Sequence, residues 1–138
     1  MKKSFFTLIL TLLVAFMSPN LASAVDINVG GHDGPGNYYI PMGNYYRYSM
    51  TQAIYPGDEI IGIDGQLNAI SFQCQTPYAI TFSSLKIYLG FVDRAKFTSG
   101  SDWVPASDLT LVYDHSNVTV GSTAGWERYE FDTPFDYE

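Results

Sequence analysis

Leu85-Lys86-Ile87-Tyr88-Leu89-Gly90-Phe91 sends Leu85, Ile87, Leu89 and Phe91 one way and Lys86, Tyr88 and Gly90 the other. A period of two is the mark of a half-buried strand, because successive side chains leave opposite faces of a pleated backbone. The same period recurs on both sides of this stretch. Upstream, Ile70, Phe72 and Cys74 alternate with Ser71, Gln73 and Gln75, which predicts a strand over 67–74. Ala79 to Phe82 is a short second run. Downstream, Leu109, Leu111 and Tyr113 are expected to point inward from 108–114, and Val118 to Val120 is a short run. In a last strand over 126–132, Tyr129 and Phe131 oppose Arg128 and Glu130.

Turn residues punctuate these runs: Pro56-Gly57-Asp58, Asp64-Gly65, Thr76-Pro77, Ser99-Gly100-Ser101, Gly121-Ser122 and Gly125. Glycine tolerates the left-handed backbone of tight turns, and proline fixes their first corner. No segment carries a useful helical period, and 94–99 could form one loose turn at most. Short alternating runs at this spacing predict an all-β fold, an antiparallel β-sandwich of jelly-roll type.

The N-terminus is of another kind. Lys2 and Lys3 precede an apolar run from Phe5 to Met17, then Pro19-Asn20, then Ala22-Ser23-Ala24. A positive start, a short apolar core and small residues before the cut are the three parts of a secretory signal peptide. A membrane-spanning helix wants about 20 apolar residues, and this run is shorter. Residues 1–24 are therefore expected to be removed on export. That leaves a single domain over 25–138, with a Gly- and Tyr-rich lead-in over 25–44. The expected location is secreted or cell-surface, with no membrane span after cleavage.

All fourteen acidic residues but only five of the seven basic ones follow residue 24, so the charge beyond the cut is −9. Such a surface disfavours nucleic acid, whose phosphates are held by Lys and Arg. Cys74 is the only cysteine, so the fold rests on an apolar core without an internal disulfide framework. Its alternation with Ile70 and Phe72 places it on an inward face as an inert thiol.

Three ordered pieces carry a resemblance. The first is Tyr48-Ser49-Met50-Thr51-Gln52-Ala53-Ile54-Tyr55 with Asp58-Glu59-Ile60. The second is Leu85-Lys86-Ile87-Tyr88-Leu89-Gly90, Phe97, Asp102-Trp103-Val104-Pro105 and Leu109-Thr110-Leu111-Val112-Tyr113. The third is Gly125-Trp126 leading to Phe131-Asp132-Thr133-Pro134-Phe135-Asp136-Tyr137. Over about 36–138 this resembles the secreted β-sandwich adhesin-type domains of Bacteroidota surface proteins, which accompany gingipain-like peptidases. The resemblance implies a jelly-roll-like sandwich and an adhesive or accessory role, and it transfers no catalytic residue. Such domains continue beyond the Thr-Pro-Phe-x-Tyr segment with a further strand. The resemblance therefore implies a domain truncated at its C-terminus, whose last strand or strands a partner chain could supply. An open sheet edge favours such pairing.

Candidate sites follow from residue type. Tyr38, Tyr39, Tyr45 and Tyr46, with Tyr48, crowd eleven residues around a twofold Gly-Asn-Tyr-Tyr repeat. An aromatic face stacks on a sugar ring and also anchors a protein partner. Ordinary sheet packing with the hydroxyls reaching solvent accounts for the same tyrosines. Trp103, in Ser-Asp-Trp-Val-Pro, is either a loop-tip anchor or a plug over the end of the sandwich. Trp126 is expected in the core or at its rim. Asp33, Asp58, Glu59 and Asp64 sit beside glycines and could offer oxygens to calcium, although turn-capping explains them equally. No other cofactor is expected. His32 and His115 stand apart in loop-like settings and lack metal-ligand spacing. No nucleophile elbow or Cys-His pair is present in the sequence. The function expected is thus a non-catalytic secreted module binding carbohydrate or extracellular protein. The alternatives are a structural accessory domain or fragment of a longer secreted peptidase or surface protein, and a glycosidase-type enzyme using two of the many carboxylates.

Overall fold

The computed structural model describes residues 24–29, 41–43, 46, 48–60, 65–75 and 77–137. They are built from β1 (Gly65–Cys74), β2 (Ile80–Leu89), β3 (Thr110–Val120) and β4 (Gly125–Tyr137), with a short 3-10 turn at Ala106–Asp108 before β3. The all-β, antiparallel expectation is met: β1 pairs with β4, and β2 pairs with β3. The pairs are nested, the β2–β3 hairpin being enclosed in sequence by β1 and β4. Residues 1–23 of the predicted signal segment lie outside the described residues. No helix among the described residues is long and apolar enough to cross a membrane.

The strands are longer than the sequence pattern suggests. The runs over 79–82 and 85–91 join into one ten-residue strand, β2, and 108–114 and 118–120 join into β3. Ser83-Ser84 and Asp114-His115-Ser116-Asn117 break the apolar alternation, but each is held in the ladder by its partner strand. Pairing continues from Ile80 opposite Val120 to Leu89 opposite Thr110. His115 therefore stands in a strand and not in a loop. Residues 94–99 form bends, without the loose helical turn considered for them.

A bulge changes which side chains of β3 are buried. Ile87 faces Tyr113, yet the next residue, Tyr88, faces Leu111. Val112 is the extra residue. An extra residue breaks the two-residue phase, so Val112 is fully buried at 0% exposure and Tyr113 beside it is also buried, while Leu111 is 39% exposed. The inward placing of Leu111 expected from simple alternation is thereby corrected.

A larger bulge interrupts β1–β4. Leu67 faces Phe135, but Ala69 faces Glu130, leaving Phe131 to Pro134 opposite Asn68. Pro134 has no N–H to give to a ladder and fits where pairing lapses. The bulge also swings Asp132 to the other sheet. Its Oδ2 accepts the Asp114 N–H at 2.9 Å, and its Oδ1 lies 2.8 Å from His115 Nε2. The Asp114 amide, then His115, hold the Asp132 carboxyl below the usual aspartate range. Beside this polar tie, Tyr113 of β3 meets Tyr129 of β4 edge-on, with ring centroids 5.8 Å apart. Phe72 of β1 lies 6.1 Å from Tyr129. Tyr113, Val120 and Tyr129 form the buried cluster, with Phe72, Phe82 and Ile87 packed against it. Burial pushes the Tyr113 and Tyr129 hydroxyls up from their ordinary values. The core thus sits where β3 crosses β4, which also make the largest contact between the two sheets.

Candidate functional site

Strand β4 sorts its side chains by phase. Tyr129 turns into the core, and Glu127 follows it. The Glu127 carboxylate accepts the Gly121 N–H at 2.7 Å and the Tyr129 hydroxyl at 3.2 Å. Trp126, Arg128 and Glu130 take the opposite phase and are exposed. Across the ladder Trp126 faces Gln73, Arg128 faces Ser71 and Glu130 faces Ala69. Partners in an antiparallel ladder carry Cβ atoms about 5 Å apart, so Trp126 and Gln73 are neighbours on one face, with Ser71 and Arg128 the next pair along.

Trp126 is 62% exposed, which overturns its expected place in the core or at its rim. The physical reason is the phase: a side chain in step with Arg128 and Glu130 shares their solvated face. Arg128 is held along that face by Glu130, its Nε donating to Oε1 at 2.5 Å, and a weaker contact reaches Asp26 at 3.4 Å. The Glu130 carboxylate beside it pushes the guanidinium further up from its ordinary value. The face therefore offers one broad aromatic surface with an amide, a hydroxyl, a fixed cation and a carboxylate around it. That set suits reversible recognition of a polyhydroxylated ligand: ring C–H groups stack on indole, and hydroxyls bond to the polar rim.

Of the tyrosine cluster, Tyr38, Tyr39 and Tyr45 lie outside the described residues. Tyr46 is 74% and Tyr48 92% exposed, and both border the same open groove as Trp126, Arg128 and Gln73. This groove encloses about 2930 Å³.

Trp103 does not line the groove. It is 44% exposed, on a loop braced on both sides. The Asp102 carboxylate accepts the Thr98 N–H and hydroxyl, each at 2.8 Å, and pairs with Arg94. The Thr98 bonds, then Arg94, hold its pKa down at about 2. On the other side the Gln52 amide bonds both backbone groups of Val104, at 2.7 and 2.9 Å. These braces present Trp103 as a half-exposed loop residue.

Of the calcium candidates, Asp33 and Asp64 lie outside the described residues. Asp58 and Glu59 are exposed in a turn closed by the Glu59 N–H on the Pro56 carbonyl at 2.9 Å. No group of three potential ligands occurs among the described residues. Comparison with protein-family models, with curated proteins and with solved structures gives no match.

Proposed function

We propose that this chain is an exported, non-catalytic binding module that takes a carbohydrate chain on the outer face of β1–β4, at a cell or host surface. The observation that carries the reading is Trp126, exposed in phase with Arg128 and Glu130 and directly across from Gln73. Tyr46 and Tyr48, both exposed, border the same groove. Three of the carboxylates have structural work: Glu127 in the β3–β4 turn, Asp102 in the Trp103 loop and Asp132 between the sheets. The signal-like N-terminus and the resemblance to Bacteroidota adhesin domains supply the location and the adhesive role in this proposal. The nested strand pairing is compatible with a jelly-roll path.

Calorimetric titration with oligosaccharides chosen from a glycan array tests the reading. Trp126→Ala is expected to weaken binding at least about tenfold, the scale of a buried aromatic anchor, with an unchanged melting temperature. Wild-type affinity in this variant refutes it.

A second reading, an accessory domain completed by another chain, is favoured by one observation. Each described strand ladders with a single neighbour, which leaves one edge of each without a strand partner among the described residues. Concentration-dependent self-association in sedimentation would support it.

A further inference from the structure

A second recess lies where β2 runs out beside the bulge of β4. It encloses about 460 Å³ and is lined by Gly90, Phe91, Asp108, Phe135 and Asp136, among others. The Asp108–Leu109 segment passes close over Gly90: a Cβ there would stand 2.6 Å from the movable end of the Leu109 side chain and 3.6 Å, ordinary contact, from the Asp108 carbonyl oxygen. Phe91 forms an aromatic wall. Its ring lies 5.3 Å from Phe135 and 5.6 Å from Tyr137, yet it remains 62% exposed.

The recess carries two carboxylates and no basic side chain. Asp136 accepts the Gln66 amide at 2.8 Å, and Asp108 accepts the Ser107 hydroxyl at 3.0 Å. Both partners are neutral. No ion pair among the described residues involves Asp108 or Asp136, nor Asp58, Glu59, Asp93 or Glu127; Asp108 and Asp136 differ from those four in lining one recess. Two uncompensated anions beside an exposed ring, on a chain of net charge −7, are complementary to one kind of group: a cation on an aliphatic stem. Such a stem would pack on Phe91, its charge would meet the carboxylates that line the recess, and the ring face would add cation–π attraction. A bare divalent cation fits worse, since it wants six or more oxygens and gains nothing from phenylalanine.

We propose that this recess receives a lysine side chain of a partner protein. It does not rest on the carbohydrate reading, since neither Asp108 nor Asp136 borders the groove of Trp126, although Gly90, Phe91 and Phe135 line both.

The test is amide chemical-shift mapping by NMR of the purified protein. The two probes are acetyl-Gly-Lys-Gly-amide and its norleucine counterpart, which keeps the stem and lacks the charge. The lysine peptide is expected to shift the Gly90, Phe91 and Asp136 amides with half-saturation in the millimolar range, on the order of what one cation–π contact and two exposed charge pairs support. The norleucine peptide is expected to leave them in place. Asp108→Asn and Asp136→Asn should each weaken the response about two- to fivefold, and together about tenfold. Dispersed spectra of the variants confirm their fold. Equal shifts with norleucine, equal shifts around Asp58 and Glu59, an undiminished response in the double variant, or no response to about 20 mM lysine peptide, well past the expected half-saturation, each overturn the proposal.

Discussion

Val112→Ala and Leu111→Ala should differ sharply in stability, and in the order opposite to that of simple strand alternation. Val112 is fully buried because the bulge opposite Ile87 and Tyr88 makes it the extra residue, whereas Leu111 is 39% exposed. Val112→Ala deletes two buried methyl groups. At about 0.8 kcal/mol each, their transfer alone is worth about 1.6 kcal/mol. The vacated space adds up to about 1 kcal/mol at about 24 cal/mol per Å³. The expected loss is therefore about 2 to 2.5 kcal/mol. Leu111→Ala removes a larger side chain, but much of it already meets water and it leaves little cavity, so about 1 kcal/mol or less is expected. Chemical denaturation followed by circular dichroism measures both, with an unchanged denaturant slope as the sign of an intact reference state. In a domain of this size the Val112 variant should melt roughly 8 to 10 °C lower. A Leu111 variant as destabilised as the Val112 variant, or more so, would refute the bulged register and restore Leu111 to the core.

Two further outcomes follow from the junction between the sheets and from the turn beside it. Asp132, with its carboxyl held low by the Asp114 amide and His115, contributes stability that is present above the ordinary aspartate pKa and is lost as pH falls through the lowered folded-state value. Asp132→Asn should flatten that acid limb of the melting temperature–pH profile, and an acid limb as steep as wild type would show that the charge does not carry the tie. Gly121, with φ of +71°, has no room for a side chain, since a Cβ would stand 2.8 Å from the Tyr78 carbonyl oxygen. Gly121→Ala combines a left-handed backbone with a clash against main chain, and should cost more than about 1 kcal/mol in denaturant titration. A neutral result would mean that the β3–β4 turn can shift without consequence.

How far the sequence could be read depends on what interrupts its alternation. In β1 nothing does before Cys74, and Ile70, Phe72 and Cys74 turn inward as their spacing says. In β2 and β3 the polar stretches Ser83-Ser84 and Asp114 to Asn117 look like loops to a reader of apolar period. They are strand because they pair with each other: Ser84 faces Ser116 and Lys86 faces Asp114, the latter with an ion pair at 2.8 Å. Pairing is a property of two segments, and no single window of sequence displays it. The Val112 bulge is hidden for the same reason, since one extra residue is visible only against its partner.

The Trp126 face was legible, and hydrophobicity concealed it. Trp126 stands two residues before Arg128 and four before Glu130, so period two alone assigns it to the charged face; ranking tryptophan as a core residue is what hides that assignment. Large aromatics are mostly buried, and an exception in phase with charges is therefore a stronger pointer to binding than a tyrosine count. The lysine recess had no such signal. Gly90-Phe91, Asp108 and Phe135-Asp136 come from three separate stretches, and only the close passage of Leu109 over Gly90 brings them together. The same bulge that carries Asp132 across to His115 ends at Pro134, on the lip of this recess. One irregularity in β4 thus ties the two sheets together and shapes the wall of a binding site, which explains why a strand would carry a four-residue interruption that weakens its own ladder.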